Sequence, residues 1–310
     1  MDLNARIFIA GHRGLVGSAL MRRLQSDGAR QLLTAARDEL DLRDQATVNR
    51  WFDSNRPDYV FLTAGTVGGI VANSTRPADF IYDNIMMTTN VVQAAHLFGV
   101  RKLLFLGSSC AYPRDAPQPI KEDVLLTGPL EPTSESYATA KIAGIKLCQA
   151  YRRQHGSHFI SAIPATLYGP GDNFDPAQSH VMSALIRRFH EAKVNRAPDV
   201  VIWGTGRPRR EFLHVDDVAE ACVFLMEQYD EVQHINVGTG EDLSIGELAD
   251  TLRAVIYPEA RLAFDSSKPD GAPRKLLDVS RLRALGWRHR IALREGVVST
   301  HRWFLEHAAG

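Results

Sequence analysis

The stretch Ile7-Phe8-Ile9-Ala10-Gly11-His12-Arg13-Gly14-Leu15-Val16-Gly17 decides the fold of this chain. Its first four residues form a short apolar run, which is typical of a parallel strand buried on both faces. Glycines spaced G-x-x-G-x-x-G follow, and a helical pattern begins after them. They allow a tight turn, close approach of the backbone to a pyrophosphate, and close packing of helix on strand. The stretch therefore predicts a dinucleotide-binding βαβ unit, with the diphosphate at the helix N-terminus.

The residues after the second predicted strand indicate which of the two nicotinamide cofactors the chain binds. Such folds often place an acidic residue about 20 positions after the glycines, where it binds the ribose 2′-hydroxyl of NAD. Arg37 stands there in this chain, and together with Arg13 it suits the 2′-phosphate of NADP. The sequence therefore favours NADP(H), although the adjacent Asp38 leaves NAD open. Asp41 and Leu42 are expected either at the adenine edge or as the N-cap of the next helix.

Three further apolar runs, over 59–62, 102–106 and 159–164, have the length and composition of buried parallel strands. Together with the first two they predict a doubly wound parallel sheet of the Rossmann type. Such sheets bind ligands at the C-terminal ends of their strands. We therefore expect the cofactor to pass Ala64 and Leu106-Gly107.

Tyr137 and Lys141 are four residues apart in the pattern of a helix over 137–154, so their side chains share one face. A free phenol titrates near 10, and a neighbouring ammonium is expected to lower its pKa. The pair is suited to passing a proton to or from a carbonyl oxygen during hydride transfer. Because the same spacing is common where the tyrosine packs and the lysine is solvated, this interpretation depends on the other motifs.

The segment Gly107-Ser108-Ser109-Cys110 follows the predicted strand over 102–106 and should enter the same crevice. Ser108 would hydrogen-bond the carbonyl that Tyr137 serves. Cys110 would act as a base if its thiolate is stabilised. Taken singly, a structural serine and an inert buried thiol fit these two positions as well.

The composition excludes several classes of protein. Of 310 residues, 45% are hydrophobic, and 36 Lys and Arg balance 36 Asp and Glu. Zero net charge argues against nucleic acid as a partner. The longest weakly polar run is too short to cross a bilayer, so no membrane partner is expected. Three widely spaced cysteines form neither a disulfide framework nor a metal motif, which indicates a reducing, cytoplasmic compartment and no bound metal.

Two predicted helices, over 84–98 and 137–154, are apolar around most of their circumference. One sheet face covers only part of such a surface, so the pattern favours a homodimer in which they pair. Burial inside one chain is the alternative.

A smaller C-terminal α/β domain is expected to bind the substrate. We assign 1–167 and 213–237 to the NADP-binding domain, and 168–212 and 238–310 to the substrate domain. A basic segment around Lys275 suits a phosphate-bearing ligand, or is a plain solvated loop.

Together these motifs resemble the extended short-chain dehydrogenase/reductase superfamily, and within it the enzymes that act on GDP-4-keto-6-deoxy sugars. The resemblance covers nearly the whole chain, and its most specific stretches are 8–14, 67–73, 77–82, 102–110, 140–148, 210–217 and 267–278.

The resemblance implies conversion of GDP-4-keto-6-deoxy-D-mannose by epimerisation at C3 and C5 and reduction at C4 with NADPH. Ser108, Tyr137 and Lys141 would serve the reduction, and Cys110 and His180 would be the base and acid of the epimerisations. The substrate contacts it implies are Arg188, Trp203, Arg210 and Asp270, to which the basic segment adds Lys275. The expected cofactor contacts are Gly11, His12, Arg13, Gly14, Leu15, Val16, Gly17, Arg37, Asp41, Leu42, Ala64, Leu106, Gly107, Lys141, Pro164, Ala165, Thr166, Leu167 and His180.

Two alternatives stay open. The substrate could be another GDP-4-keto sugar, such as a 3,6-dideoxy sugar or a 6-deoxy-heptose. The chain could also bind NADP without turnover, against which the joint presence of Ser108, Tyr137 and Lys141 argues.

Overall fold

The chain alternates between strands and helices along most of its length. The structure is a computed structural model that describes residues 1–176, 179–268 and 270–307. In chain order its elements are β1 (Arg6–Ala10), α1 (Leu15–Ser26), β2 (Gln31–Leu33), α2 (Gln45–Asn55), β3 (Tyr59–Leu62), α3 (Ile70–Thr75), α4 (Pro77–Leu97), β4 (Lys102–Leu106), α5 (Glu135–His155), β5 (Phe159–Pro164), β6 (Thr166–Tyr168), α6 (Val181–Val194), β7 (Asp199–Trp203), β8 (Arg209–Arg210), β9 (Phe212–His214), α7 (Val215–Gln228), β10 (Ile235–Val237), β11 (Leu243–Ser244), α8 (Ile245–Ile256), β12 (Arg261–Asp265), β13 (Arg274–Lys275), α9 (Ser280–Ala284) and α10 (Leu293–His307).

Six of the strands form one sheet in the order β10-β5-β4-β3-β1-β2, and every neighbouring pair is parallel. The predicted doubly wound parallel sheet is therefore confirmed. The second strand, which the sequence predicts over 31–36, ends at Leu33. The backbone N–H of Ala36 donates instead to the Glu39 carboxylate at 2.7 Å, so a local turn takes the place of sheet pairing.

The apolar side chains form two hydrophobic clusters. The larger one surrounds the six-stranded sheet and includes fully buried residues of its central strands, such as Ile7, Phe61 and Leu104. Residues near the C-terminus also join it, among them Leu277 and Trp287. The smaller cluster gathers around α6, α8 and α10. Burial of each large apolar side chain contributes about 1.5–3 kcal/mol, so both clusters hold their elements firmly in place.

The long helices α4 and α5 pack along each other beside the sheet. Helix α4 begins at Pro77, seven residues before the predicted start, because a proline at the first helical position has a suitable φ and lacks only an N–H that would be unpaired. A Cβ on Gly144 of α5 would lie 2.4 Å from Cζ of Phe105, so this glycine lets the helix approach β4. Outward-facing Tyr82 and Leu97 of α4 are more than half exposed.

Two general features complete the fold. Across the three described ranges, no helix is long and apolar enough to cross a lipid bilayer, and no group of three or more His, Cys, Asp and Glu side chains is arranged to hold a metal ion. The thiols of Cys110, Cys148 and Cys222 are unpaired.

Candidate active site

The loop between β1 and α1 is built to bring backbone close to a ligand. Gly11 has a φ of 93°, and a Cβ there would lie 2.7 Å from the backbone nitrogen of Ala64. A Cβ on Gly17 would lie 2.0 Å from the oxygen of Gly11, so that glycine lets α1 pack on the loop. Gly14, the N-cap of α1, has no side-chain cap, and its hypothetical Cβ would meet only one atom, at 3.4 Å. The space beside Gly14 and the free N–H groups of α1 therefore fit a pyrophosphate.

Arg13 and Arg37 are both exposed near this loop, so their guanidinium groups are accessible to a phosphate. Asp41 is held by Arg43 through hydrogen bonds of 3.0 and 2.7 Å, which lower the pKa of its carboxyl to about 2. Asp44, not Asp41 or Leu42, is the N-cap of α2, so the alternative role predicted for the latter two is wrong.

The other predicted cofactor residues lie where the strands end or just beyond. Ala64 follows β3 and touches Gly11, while Leu106 ends β4 and is followed by Gly107. Pro164 ends β5, and Ala165 donates its N–H to Val237 at 2.9 Å. Thr166 and Leu167 continue into β6. The side chain of Leu42 packs in the larger hydrophobic cluster. His12 belongs to the first loop, and Leu15 and Val16 begin α1.

Tyr137 and Lys141 are buried together on one face of α5, with 9% and 4% of their surfaces exposed. The Lys141 ammonium donates to the carbonyl oxygen of Leu106 at 3.0 Å and lies 5.7 Å from the centre of the Tyr137 ring. Burial lowers the pKa of Lys141 to about 8. Burial and then the charge of Cys110 raise the pKa of Tyr137, while its hydrogen bond with Ser108 acts the other way.

The expectation that the ammonium lowers the pKa of the Tyr137 phenol is therefore wrong for this structure. Removal of the phenol from water disfavours the phenolate by more than the neighbouring groups favour it. Tyr137 is held in its protonated form at neutral pH. That is the form a proton donor needs.

Ser108 and Cys110 lie beside this pair, at the end of β4. Ser108 is the N-cap of a short 3₁₀ turn, Ser109–Ala111, and accepts a hydrogen bond from the Cys110 N–H at 3.3 Å. Cys110 is partly exposed, unlike the two other cysteines, which are buried. The Lys275 ammonium approaches Sγ of Cys110 to 4.0 Å. The structure thus brings together Ser108, Cys110, Tyr137, Lys141 and Lys275.

His180 is placed on a different element, as the N-cap of α6. Its charge acts on Asp172, whose buried carboxyl accepts a hydrogen bond from Ser183 and has its pKa raised by burial. Within the described part of the chain, no hydrogen bond or ion pair joins His180 to Cys110 or Tyr137. The candidate acid and the candidate base are therefore not in direct contact through a hydrogen bond or ion pair of the described residues.

The remaining predicted substrate residues surround an exposed tryptophan. Trp203, at the end of β7, is 57% exposed, and the Arg188 guanidinium lies 5.2 Å from the centre of its ring. The Lys268 ammonium lies 5.6 Å from the same ring. Asp270 accepts hydrogen bonds from the backbone and hydroxyl of Thr205 at 2.6 and 2.8 Å. An exposed aromatic ring with two cations over it is suited to a flat ligand ring that carries phosphates.

Arg210 is the other cation of this region. Burial lowers the pKa of its guanidinium, and in the three described ranges no carboxylate pairs with it. A half-buried guanidinium without a counter-charge is suited to an anionic ligand, because binding would compensate the charge.

Sequence reasoning missed two buried carboxylates of this region. Asp172 faces His180, and Glu211 accepts backbone N–H bonds from Gly240 at 2.7 Å and Leu277 at 2.9 Å. The bonds of Glu211 join residues 29 and 66 positions apart, and Asp172 lies outside the helices and strands, so periodicity carries no signal for either carboxylate. The adjacency of Glu211 to Arg210 was the only hint available in the sequence.

Comparison with known proteins places this geometry in context. Residues 7–238 match the model of the NAD dependent epimerase/dehydratase family. GDP-L-fucose synthase 1 of Arabidopsis thaliana is 57% identical over 305 residues, covering 98% of this chain and 94% of its own. GDP-L-fucose synthase of Escherichia coli K12 is 57% identical over 310 residues, covering 97% of each chain.

Two solved structures are similar along the whole fold. A GDP-6-OMe-4-keto-L-xylo-heptose reductase from C. jejuni superposes with a TM-score of 0.92 at 38% identity, covering 99% of both chains. A GDP-L-fucose synthetase from Naegleria fowleri bound to NADP superposes with a TM-score of 0.92 at 29% identity, covering 100% of this chain and 96% of the other.

Proposed function

The chain belongs to the NAD dependent epimerase/dehydratase family and, within it, to the GDP-L-fucose synthases, and we propose that it converts GDP-4-keto-6-deoxy-D-mannose into GDP-L-fucose. The reaction consists of epimerisation at C3 and C5 and reduction of the C4 ketone. One observation carries the proposal to this site. The N–H of Cys110, the candidate base, donates to Oγ of Ser108 at 3.3 Å, and Ser108 also interacts with Tyr137, the candidate proton donor, so that one bound sugar can be served by both.

The cofactor is NADP(H), and its bound nicotinamide supplies the hydride for C4. The open space at Gly14 and the N-terminus of α1 would hold the pyrophosphate. The exposed Arg13 and Arg37 would pair with the 2′-phosphate.

Tyr137 and Ser108 act on the C4 oxygen of the substrate. The phenol, held protonated by burial, donates a proton to this oxygen as the ketone is reduced. Lys141, fixed to the carbonyl of Leu106, keeps a positive field close to the phenol while it loses that proton. Ser108 hydrogen-bonds Tyr137 and would share the C4 oxygen with it.

Cys110 and His180 move protons at the neighbouring carbons. A ketone at C4 acidifies the C–H bonds at C3 and C5, and the electron pair released by a base is taken up by the C4 oxygen beside Ser108 and Tyr137. Inversion needs a base on one face of the ring and an acid on the other. Cys110 and His180 come from separate segments, as this arrangement requires.

The GDP group would lie at the exposed tryptophan. Trp203, with Arg188 beside it, offers a stacking face for guanine, and Arg210 supplies an uncompensated positive charge for the diphosphate. Asp270, anchored by Thr205, would complete the contacts.

Three broader features extend the proposal. The chain would work as a homodimer paired through α4 and α5, and in a reducing, cytoplasmic compartment that suits its unpaired thiols. Residues 1–167 and 213–237 would form the NADP-binding domain, and 168–212 and 238–310 the substrate domain.

Turnover of defined substrates tests the proposal. GDP-4-keto-6-deoxy-D-mannose should be consumed with NADPH, and NMR of the product should identify GDP-L-fucose. The second candidate function, suggested by the similar heptose reductase, is reduction of a GDP-4-keto-heptose. This candidate gains support only if the heptose is turned over faster than the mannose derivative. Faster turnover of the 3,6-dideoxy analogue would instead identify that sugar as the substrate. Binding of NADPH without turnover of any of the three would leave a non-catalytic protein.

A further inference from the structure

We propose that Lys275 is a positioning residue for the epimerisations, whose ammonium stabilises the thiolate of Cys110 instead of binding the substrate. The inference deepens the proposed function, because it assumes that Cys110 is the base. The thiolate, not the thiol, is the form of cysteine that accepts a proton, so a base of this type needs a nearby positive charge.

The side chain of Lys275 points at the thiol. Its Nζ lies 4.0 Å from Sγ of Cys110, and this is the one hydrogen bond that its ammonium makes among the described residues. No carboxylate in those ranges pairs with it. The preceding residue, Arg274, is instead paired with Asp242, which also pairs with Arg209. Lys275 thus keeps its charge available for Cys110, while Arg274 and Arg209 are paired with Asp242.

Backbone hydrogen bonds on both sides hold Lys275 in this position. On one side, β13 runs parallel to β8, and the N–H of Glu211 donates to the carbonyl of Lys275 at 3.3 Å. The carboxylate of Glu211, which is 1% exposed, accepts from the N–H of Leu277 at 2.9 Å. The chain is therefore anchored to Glu211 both at Lys275 itself and two residues later, at Leu277.

On the other side, the same strand is tied to the segment that leads on from Cys110. The Gln118 side chain accepts from the N–H of Leu276 at 2.8 Å, and the N–H of Ile120 donates to the carbonyl of Leu276 at 2.7 Å. The thiol and the ammonium thus belong to one hydrogen-bonded framework.

Two other ionisable groups, Tyr137 and Arg210, lie near the pair formed by Lys275 and Cys110. Tyr137 of α5 interacts with Cys110 electrostatically, and because burial keeps its phenol neutral, it places no negative charge beside the thiolate. Arg210 is paired in register with Lys275 across β8 and β13, and its own guanidinium has no carboxylate partner in the described ranges. Arg210 can therefore serve the substrate diphosphate while Lys275 serves the thiol.

The proton balance of the step is simple. The thiolate takes the proton from C3 or C5 and becomes a thiol, and the electron pair of the broken C–H bond moves to the C4 oxygen. A proton then returns to the opposite face of the carbon from His180. The ammonium of Lys275 keeps its proton throughout and acts only through the thiolate.

Alkylation of the substrate-free protein by iodoacetamide tests the pair without any turnover. Cys148 and Cys222 are 1% and 0% exposed, so the fast reaction reports Cys110, and Cys110→Ala gives the background. Lys275→Met should slow the reaction about tenfold at neutral pH and move the midpoint of its pH profile upward by about one unit. Lys275→Arg should retain most of the alkylation rate. Lys121→Met changes an exposed lysine in the segment that leads on from Cys110 and should match the wild type.

Exchange of the substrate with D2O gives the second measurement. Lys275→Met should lower the maximal rate of deuterium incorporation at C3 and C5 about tenfold, with recovery at higher pH and little change in KM. An unchanged alkylation profile, or a raised KM with normal exchange, would overturn the proposal and return Lys275 to the substrate. If Lys275→Met shows the alkylation shift but the wild type incorporates no deuterium into the sugar, the proposed function fails and the interaction between Lys275 and Cys110 is retained.

Discussion

The Lys141 ammonium lies 5.7 Å from the centre of the Tyr137 ring and donates a 3.0 Å hydrogen bond to the carbonyl of Leu106. This contact ties α5 to the last residue of β4. Because Ser108 and Cys110 lie only two and four residues after Leu106, the same contact aligns the phenol with the serine and the thiol. The chemistry of the site thus depends on how one helix is fastened to the C-terminal edge of the sheet.

Replacement of Tyr137 by phenylalanine tests the proton donor. Tyr137→Phe should cost at least about 100-fold in the rate of C4 reduction, because the C4 oxygen then receives no proton from the protein. Binding of NADPH, measured by fluorescence titration, should stay nearly unchanged. Reduction at the wild-type rate would remove Tyr137 from this role.

Removal of the thiol should separate the two chemistries. In D2O with NADP⁺, the wild type should incorporate deuterium at C3 and C5 of the keto sugar, since proton exchange beside a ketone needs no hydride. Cys110→Ala should lose most of this exchange but still reduce C4 with NADPH, which yields an unepimerised GDP-6-deoxy sugar. His180→Ala should exchange with little inversion. Complete epimerisation by Cys110→Ala would falsify the assignment of the base.

The choice of cofactor should depend on Arg37. Loss of a charge partner of the 2′-phosphate typically costs a few kcal/mol, so Arg37→Ala should weaken NADPH much more than NADH. Arg50→Ala removes another exposed arginine, on α2, and serves as the control. Dissociation constants for both cofactors measure the difference. An equal loss for NADPH and NADH would mean that Arg37 has a structural role only.

The stability of the cofactor-free protein should rise with pH through the buried Lys141. Its pKa is lowered from 10.5 to about 8, so burial of the charged form costs free energy below pH 8, and the cost disappears as the folded protein loses this proton. Between about pH 7 and pH 9.5 the free energy of unfolding should increase by about 2 kcal/mol from this group. Lys141→Met should lack that increment, as measured by chemical denaturation at both pH values. Parallel pH dependences in both proteins would contradict the burial argument.

The exposed face of α4 and α5 should be a subunit interface. A glutamate at the exposed Ala143 of α5 would bury a charge between two copies, so Ala143→Glu should give a monomeric mass in analytical ultracentrifugation where the wild type is a dimer. Ala254→Glu makes the same change at an exposed position of α8 and should leave the dimer intact. A wild type that is monomeric at micromolar concentration would refute the pairing.

The sequence alone determined those features that depend on local pattern. The strand, glycine turn and helix over 7–26 follow from apolar runs and glycine spacing, since a Cβ at Gly17 would clash with Gly11 within the same unit. The helix that carries Tyr137 and Lys141 follows from periodicity, and five strands of the parallel sheet follow from the succession of such units.

The tertiary structure alone decided the features that depend on burial and on contacts between distant residues. The pKa of Tyr137 rises instead of falling, because the degree of desolvation is a property of the packed protein and not of the spacing to Lys141. The approach of Lys275 to Cys110 and the partnership of Glu211 with Leu277 join residues 165 and 66 positions apart. No periodicity reaches across such distances, so only the folded chain shows which charges meet.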